Sequence, residues 1–268
     1  MTTQFSVNII CYNEAENIRD CLESVRWADE VVVVDSHSTD GTTEICREYG
    51  AKIYQEAFTG YGKLRNIAIE KSTHDWILSL DADERVTSEL KEEIFREFQL
   101  NPLADAYAIP RKSHFLERWI WSCGWYPDYR STQLFHRKAG KYTEVLNDDH
   151  FELNAGSRKE YLKKHILHYT YKDIDHYLIK MERYTTLKAE QMKKDGRRFS
   201  PHQLITHPVF MFFKMYILRR GFMQGKIGLI LSTLYMYYTF LKYAKLWELT
   251  KNSAETDEFL RNDVTRRA

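Results

Sequence analysis

Residues 31–36 read VVVVDS, a run of four valines that ends in an acidic and a hydroxyl side chain. Four consecutive β-branched residues indicate a buried strand of a largely parallel sheet. Further apolar runs alternate with segments of helical periodicity, with strands predicted at residues 5–11, 51–54 and 76–80 and helices at 14–27, 42–49, 63–71 and 87–98. This alternation predicts an α/β fold with an open sheet, in which ligands bind at the carboxyl ends of the strands.

The overall charge of the chain is balanced, with 39 Lys and Arg against 38 Asp and Glu in 268 residues. A net charge of +1 gives no general reason to expect nucleic acid as a partner. The four cysteines form no CxxC pair and no close Cys/His spacing, which predicts reduced thiols in a cytoplasmic protein rather than a zinc site. Residues 1–11 lack a basic segment and a long apolar run, so no secretory signal is expected.

The pattern changes twice along the chain. After about residue 105 the apolar runs become shorter, and from residue 173 a helical period returns. We therefore predict an α/β domain over residues 1–172, with a first half of about 1–104 and a second half of about 105–172. A helical, aromatic and basic extension is expected over 173–250, followed by a loose polar tail over 251–268.

Asp81-Ala82-Asp83 directly follows the predicted strand at 76–80. Two carboxylates at a strand end can bind a hard divalent cation, Mg²⁺ or Mn²⁺, and such a cation can neutralise a diphosphate leaving group. The alternative is a solvated turn whose carboxylates only cap a helix.

A second polar loop, DSHSTDGT at residues 35–42, follows the valine run, where it can contact a ribose or a base. Asp40 occupies the sixth position of this loop, where an EF-hand requires Gly. Residues 11–16 read CYNEAE and carry no GxGxxG pattern after the first strand, so an NAD-dependent enzyme is disfavoured.

These motifs, in this order, resemble those of the family 2 glycosyltransferases, which have the GT-A nucleotide-diphospho-sugar transferase fold. The matching pieces are CYNE at 11–14, VVDS at 33–36 with TDGT at 39–42, KLRN at 63–66 and LDAD at 80–83. The chain is also similar to bacterial lipopolysaccharide inner-core β-glucosyltransferases through GWYPD at 124–128, QLF at 133–135, LHYTY at 167–171, RYTT at 183–186 and LKYAKLW at 241–247.

The resemblance implies a UDP-sugar donor bound by the first half of the domain and an acceptor bound by the second. It implies that Asp35 contacts the uracil or ribose, Arg65 the diphosphate, Asp81 the ribose and metal-bound phosphates, and Asp83 the metal, with Tyr12, Asn13 and Glu14 among the nucleotide-binding residues. His168 is a candidate third metal ligand. Two alternatives remain open: Arg65 as a surface cation of a helix, and His168 as a packed core residue.

An inverting sugar transfer also needs a general base for the acceptor hydroxyl. Similar sequences carry Val-His-Glu before the Leu-His-Tyr strand, and the nearest match here is DDHFE at 148–152. Glu152 is the first candidate and Asp149 the second. Four aromatic residues are candidates for stacking on the acceptor, or else form a satellite hydrophobic cluster: Trp119, Trp121, Trp125 and Tyr126.

The segment from Leu204 to Trp247 contains six basic residues and no acidic one, among many aromatic side chains. Its longest uncharged run, residues 227–241, is shorter than the roughly 18 to 20 residues that a spanning helix needs. This composition predicts peripheral attachment to an anionic membrane surface, on the cytoplasmic face of the cell membrane. The alternative is a helix pair that packs on the catalytic domain or on a second subunit.

The sequence as a whole therefore predicts a metal-dependent, inverting glycosyltransferase that moves a hexose from a UDP-sugar to a cell-envelope saccharide or glycolipid. A sugar nucleotidyltransferase is one alternative, although it normally has a Gly-rich, basic phosphate loop that residues 12–14 do not provide. A non-catalytic protein that binds saccharides or lipid headgroups is the other.

Overall fold

The structure, a computed structural model, describes residues 3–99, 102–145 and 149–266, with side chains described as far as residue 251. The chain divides into two compact units. The first contains the residues up to Trp121 and Trp125–Lys172, and the second contains Ser122–Gly124 and the residues from Asp173 onward.

The first unit contains thirteen described strands and four described helices. The strands are β1 (Phe5–Cys11), β2 (Glu30–Asp35), β3 (Lys52–Gln55), β4 (Trp76–Asp81), β5 (Glu84–Val86), β6 (Ala106–Ala108), β7 (Arg111–Phe115), β8 (Arg118–Trp119), β9 (Thr132–His136), β10 (Gly140–Tyr142), β11 (Phe151–Leu153), β12 (Lys159–Tyr161) and β13 (Ile166–Tyr171). The helices are α1 (Ala15–Ser24), α2 (Thr42–Glu48), α3 (Tyr61–Lys71) and α4 (Ser88–Gln99).

The large sheet has the strand order β12-β6-β9-β4-β1-β2-β3. Strands β1 to β4 are mutually parallel, as the alternating pattern predicts, and β9 inserts antiparallel between β4 and β6. All seven residues of β1 are buried, which explains its nearly continuous apolar sequence. The predicted α/β class with a mostly parallel sheet is confirmed.

The register of the parallel strands places their carboxyl ends at one edge of the sheet. Cys11 at the end of β1 lies opposite Asp35 at the end of β2, and Ile10 lies opposite Asp81 at the end of β4. The three predicted polar loops therefore leave the sheet side by side.

A second sheet, in the order β5-β13-β7-β8, begins just after β4. Only Ala82 and Asp83 separate the end of β4 from the start of β5. Because β5 pairs antiparallel with β13, His168 lies opposite Glu84. This turn between two sheets carries the predicted acidic triplet.

The β10–β11 hairpin lies against α3 through Asn66, whose amide donates to the Tyr142 carbonyl at 2.9 Å and whose carbonyl accepts from the Tyr142 N–H at 2.9 Å. Gly62 permits this close approach, since a Cβ there would meet the Thr143 carbonyl oxygen at 1.8 Å. The hairpin thereby holds the following residues next to Arg65 of α3.

The second unit is helical: α5 (Ile174–Lys194), α6 (Gln203–Phe213), a π-helical turn (Lys214–Leu218), a 3₁₀ turn (Gly221–Gln224) and α7 (Lys226–Arg266). Its apolar core includes Ala189 and Met192 of α5 with Tyr243 and Leu246 of α7. Asp173 caps α5 by accepting from the His176 N–H at 2.6 Å.

The residues of the predicted polar tail, 251–268, continue α7 as far as Arg266. One expectation for this unit differs from the structure. Lys245, one of the six basic residues expected at a membrane surface, instead lies 2.7 Å from Glu182 of α5 and is 17% exposed. It is paired because α7 packs on α5. Within the described ranges, no helix is both long and apolar enough to cross a membrane.

Candidate active site

The loops after β1 and β2 are joined by side-chain to backbone hydrogen bonds. Asn13 has the left-handed φ of 54°. Its N–H donates to Ser38 Oγ and its Oδ1 accepts from the Thr39 N–H, both at 2.8 Å. The Glu14 N–H donates to Thr42 Oγ1 at 2.9 Å. Asn13 and Glu14 thus shape this edge of the sheet, while the Tyr12 side chain is 47% exposed beside them.

Asp35 is fully buried at the end of β2. Its carboxylate accepts hydrogen bonds from the Ser38 N–H at 2.9 Å, from Ser38 Oγ and from Cys11 Sγ at 3.5 Å. In this arrangement Asp35 fixes the conformation of the loop that carries it.

Arg65 lies at the centre of a charged cluster at the end of β4. Its Nη2 is 2.6 Å from Asp81 Oδ1 and its Nε is 3.0 Å from Asp149 Oδ2, while Nη1 donates to Ser79 Oγ at 3.1 Å. The guanidinium also lies over the ring of Tyr142, 5.4 Å from its centroid. Arg65 is therefore bound on all sides rather than free on a helix surface.

Burial of the Arg65 guanidinium lowers its pKa, but the charges of Asp81 and Asp149 outweigh that effect and raise the pKa well above its usual value. The side chains of Arg65 and Asp149 are 14% and 13% exposed, and that of Asp81 is 33% exposed. The most accessible member of the cluster is the Asp81 carboxylate.

Asp83 and His168 form the second part of the site, with His168 Nε2 3.5 Å from Asp83 Oδ1. His168 Nδ1 lies 3.2 Å from Ser113 Oγ on the neighbouring strand β7, an interaction that fixes the orientation of the ring. Burial lowers the pKa of His168, but the charge of the adjacent Asp83 carboxylate and its hydrogen bond outweigh this effect, so that the net shift is upward.

Three residues that the sequence analysis did not select support this turn. Glu84 Oε2 accepts from the Asp81 N–H at 2.9 Å, and burial raises the pKa of Glu84. Its other oxygen, Oε1, has no hydrogen-bond partner among the described atoms and lies 3.6 Å from Arg111 Nη1. Arg111 Nη2 in turn lies 2.9 Å from Asp128 Oδ2. Asp128 ends the GWYPD motif and Glu84 directly follows the LDAD motif, but only the fold shows that Arg111 joins them.

The two candidate bases occupy different environments. Asp149 belongs to the Arg65 cluster, whereas Glu152 lies on β11 with a side chain that is 62% exposed. Its charged contact is with His150, at 3.9 Å. Among the described residues Glu152 has no contact with Arg65, Asp81 or Asp83. Asp148, part of the same motif, lies outside the described residues.

The four aromatic candidates also differ in their exposure. Trp125 is buried, and its ring packs edge to face on Phe115 with the centroids 6.3 Å apart. Trp119 is 37% exposed, and Lys112 Nζ lies 4.3 Å from its ring centroid. Tyr126 packs edge to face on Trp119 at 5.3 Å. Trp121 is 41% exposed, so part of the ring surface of both Trp119 and Trp121 is accessible.

The residues fit a divalent cation in the chemistry of their donor atoms. Asp83 and His168 bring a carboxylate oxygen and a ring nitrogen within 3.5 Å, and Asp81 adds an accessible carboxylate one residue away. Within the described parts of the chain, no three Asp, Glu, His or Cys side chains are grouped closely enough to hold a metal ion alone. Mg²⁺ commonly uses one or two carboxylates together with substrate phosphates, so such a partial ligand set is sufficient.

Comparison with known proteins identifies the class to which this fold and site belong. The family described as Glycosyl transferase family 2 matches residues 6–166, which include every strand of the large sheet except the first residue of β1. The chain belongs to this family and is a glycosyltransferase. The resemblance inferred from the ordered motifs is confirmed.

Two relatives extend the similarity over nearly the whole chain. An uncharacterized glycosyltransferase of Rickettsia felis is 30% identical over 254 residues, covering 91% of this chain and 90% of the relative. The lipopolysaccharide core biosynthesis glycosyltransferase LpsC of Rhizobium meliloti is 28% identical over 255 residues, covering 91% and 92%. The resemblance to lipopolysaccharide core enzymes is thereby supported along the full fold.

Among solved structures, S. aureus TarS 1-349 in complex with UDP-GlcNAc matches with a TM-score of 0.51 at 16% identity. The match covers 95% of this chain and 92% of that structure. At this identity the comparison shows a common fold, which is the predicted GT-A architecture.

Proposed function

We propose that this glycosyltransferase transfers a hexose from a UDP-sugar, with inversion and with the help of Mg²⁺ or Mn²⁺, to a saccharide of the cell envelope. The observation that carries the proposal is the juxtaposition of Arg65, Asp81 and Asp149 at the end of β4, next to Asp83 and His168. A cation among carboxylates is the arrangement expected where a diphosphate and its metal bind together.

In this proposal the carboxylates with His168 and the Arg65 guanidinium have different roles. Asp81, Asp83 and His168 hold the metal ion, which supplies charge neutralisation for the departing nucleoside diphosphate. Arg65 exchanges a carboxylate for a diphosphate oxygen and stabilises the same negative charge. Ser113 and Glu84 keep His168 and the Asp81 backbone in place.

The nucleoside half of the donor is expected to bind along the loops after β1 and β2. Asn13 and Glu14 shape that edge through their contacts with Ser38, Thr39 and Thr42, and the exposed Tyr12 ring offers a surface on which a base can stack. Asp35 acts there through the loop it fixes, or through a carboxylate oxygen released by Ser38 when the nucleotide binds.

We propose Asp149 as the first candidate for the general base and Glu152 as the second, the reverse of the order favoured by sequence alone. Asp149 shares Arg65 with Asp81, so movement of Arg65 onto a diphosphate releases the Asp149 carboxylate next to the donor. Glu152 is mostly exposed and contacts only His150 among the described charged residues.

The acceptor is proposed to be a lipopolysaccharide-core-like saccharide or a glycolipid, by analogy with the name of the LpsC relative. The open rings of Trp119 and Trp121 in the second half of the domain suit the faces of sugar rings. Such an acceptor is made at a membrane, and we propose that the enzyme works peripherally at the inner face of the cell membrane.

The proposal is tested with the purified chain and a panel of UDP-hexoses, with GDP-mannose as a control for the nucleobase of the donor. Release of UDP and transfer to delipidated core saccharide are measured with Mg²⁺, with Mn²⁺ and with a chelator. We expect one UDP-hexose to be consumed, only with metal present. Turnover of GDP-mannose alone, or full activity in the chelator, would contradict the donor or the metal assignment respectively.

A further inference from the structure

The connection between α6 and α7 exposes an unusual number of large apolar side chains. Leu218 is 69% exposed, and Phe222 and Met223 are each 50% exposed. The remaining exposed apolar residues of this connection, here called the bend surface together with those three, are Phe213, Ile217, Leu229 and Ile230. A contiguous sequence segment that exposes seven such residues signals a surface that is covered by something else.

The backbone of this connection packs closely against itself at two glycines. A Cβ on Gly228 of α7 would meet the Gly221 carbonyl oxygen at 1.8 Å, and a Cβ on Gly221 would meet the Met215 carbonyl oxygen at 2.8 Å. Met215 and Leu231 already occupy the interior at 3% and 0% exposure. The exposed side chains of the bend surface therefore lie on a closely packed interior.

The charge of the bend surface has one sign. Arg219, Arg220 and Lys226 are exposed between the apolar residues, and the sequence from 204 to 247 contains no Asp or Glu. Lys245 does not contribute, because Glu182 neutralises it. What covers this surface must accept large apolar groups and offer negative charge at the same place.

We propose that the bend surface inserts into the headgroup region of an anionic lipid bilayer, with its apolar side chains at the acyl boundary and its cations on the lipid phosphates. A bilayer interface provides an apolar layer directly below a layer of negative charge, so it can accept the apolar side chains and pair with the cations beside them. This attachment site rests on the proposed membrane location of the enzyme. Because it depends on exposure and charge in the second unit, it can fail independently of the donor and metal assignments.

The experiment is flotation of the full chain with vesicles of phosphatidylcholine containing phosphatidylglycerol, compared with phosphatidylcholine alone. We expect binding to the anionic vesicles that weakens as salt increases. Leu218→Ser with Phe222→Ser should lower the partition coefficient at least about tenfold, since two large side chains lose their burial. Arg220→Glu with Lys226→Glu should lower it by more than about twentyfold, because each cation near the surface contributes about fivefold.

Arg219 is left intact in these variants because its side chain lies over Gly124, where a Cβ would meet Arg219 Nη1 at 2.0 Å. The matched controls are Leu103→Ser with Ile179→Ser, which are 64% and 70% exposed elsewhere, and Arg96→Glu with Lys138→Glu. Both controls should bind like the original chain. Thermal unfolding of every variant verifies that each is folded.

Three outcomes would overturn the proposal. One is a chain that fails to float with either vesicle, and another is a control pair that loses as much binding as the bend variants. The third is a dimer, measured by light scattering, that dissociates when Leu218 and Phe222 are replaced, since the bend surface would then be an interface between two copies of the chain.

Discussion

The site at the end of β4 and the bend between α6 and α7 both use arginine, but in opposite environments. Arg65 is 14% exposed and satisfied by Asp81, Asp149 and Ser79. Arg220 is exposed, and apolar side chains surround it in sequence. A buried, paired charge indicates a site whose charged groups are already assembled before a ligand arrives, whereas exposed charges among exposed apolar groups indicate a surface that is completed by its partner.

The largest effect should come from the general base. We expect Asp149→Asn to lower kcat by about 10² to 10⁴-fold with a smaller change in donor KM, because a base acts in the transition state. Glu152→Gln, measured by the same steady-state kinetics, should change kcat little. A large loss of kcat only in the Glu152 variant would return the role to that residue, and normal rates in both would exclude this hairpin as its source.

Replacement of Asp83 tests the metal assignment. Asp83→Asn conserves shape in a position that is 6% exposed, so the fold should persist while transfer falls by about 10² to 10³-fold, the range found when one preorganised electrostatic group is removed. Asp20→Asn, an exposed carboxylate of α1, is the matched control. Full activity of the Asp83 variant, at a metal concentration that saturates the original chain, would remove Asp83 from the site.

Glu30 tests whether a buried, paired charge outside the site affects stability rather than catalysis, because it lies at the opposite end of β2 from the site. Burial raises its pKa, but hydrogen bonds from Lys52, Ser6 and the Thr73 N–H more than offset this and lower the pKa to about 2. Glu30→Gln should destabilise the fold by up to about 3 kcal/mol at neutral pH and leave kcat unchanged.

The pH dependence of this effect has a definite sign. A depressed carboxyl pKa stabilises the folded state above the unfolded value of 4.5 and loses that contribution as the pH falls toward 2. The difference in unfolding free energy between the two proteins, measured by denaturant titration, should therefore shrink across this range. A constant difference from pH 7 to pH 2 would show that packing rather than charge is responsible.

Arg65→Lys should have a smaller effect than loss of the base or of Asp83. Lysine keeps the positive charge but cannot contact Asp81, Asp149 and Ser79 at once, so we expect kcat/KM for the donor to fall about tenfold. Arg137→Lys on the same unit, whose guanidinium donates to the Ser72 and Ile69 carbonyls at 3.0 Å, is the comparison. Equal kinetics for Arg65→Lys and the original chain would mean that the cluster binds no diphosphate.

The smallest effect is expected at the bend. Leu218→Ser with Phe222→Ser should change the free energy of unfolding by less than about 0.5 kcal/mol, because exposed side chains contribute little to the folded state. A loss of several kcal/mol would show that these residues pack inside the second unit, and would contradict their description as an exposed surface.

Much of the fold could be predicted because β1, β2 and β4 are largely buried and therefore have predominantly apolar sequences. The antiparallel insertion of β9 and the three-residue strand β5 could not, since short strands leave no periodic signal and their pairing depends on distant residues.

The site shows the same limit. Asp81, Asp83 and Arg65 stand in motifs that can be recognised locally. By contrast, the contact of Arg65 with Asp149 spans 84 residues of sequence, and that of Arg111 with Glu84 joins β7 to β5, two strands that are brought together by β13 between them. Only the folded chain brings such groups together, and the order of the two candidate bases changed for this reason.

The affinity of the intact chain for UDP tests directly whether the turn after β4 binds a diphosphate and a metal ion. It is measured by isothermal titration calorimetry with Mn²⁺ and with a chelator, for the original sequence and for Asp83→Asn. We expect Mn²⁺ to increase the affinity of the original chain at least about tenfold, and Asp83→Asn to lose most of this increase while still binding UDP weakly. Equal UDP affinity with and without Mn²⁺ in the original chain, or an undiminished Mn²⁺ effect in the variant, would contradict the assignment of this turn as a diphosphate and metal site.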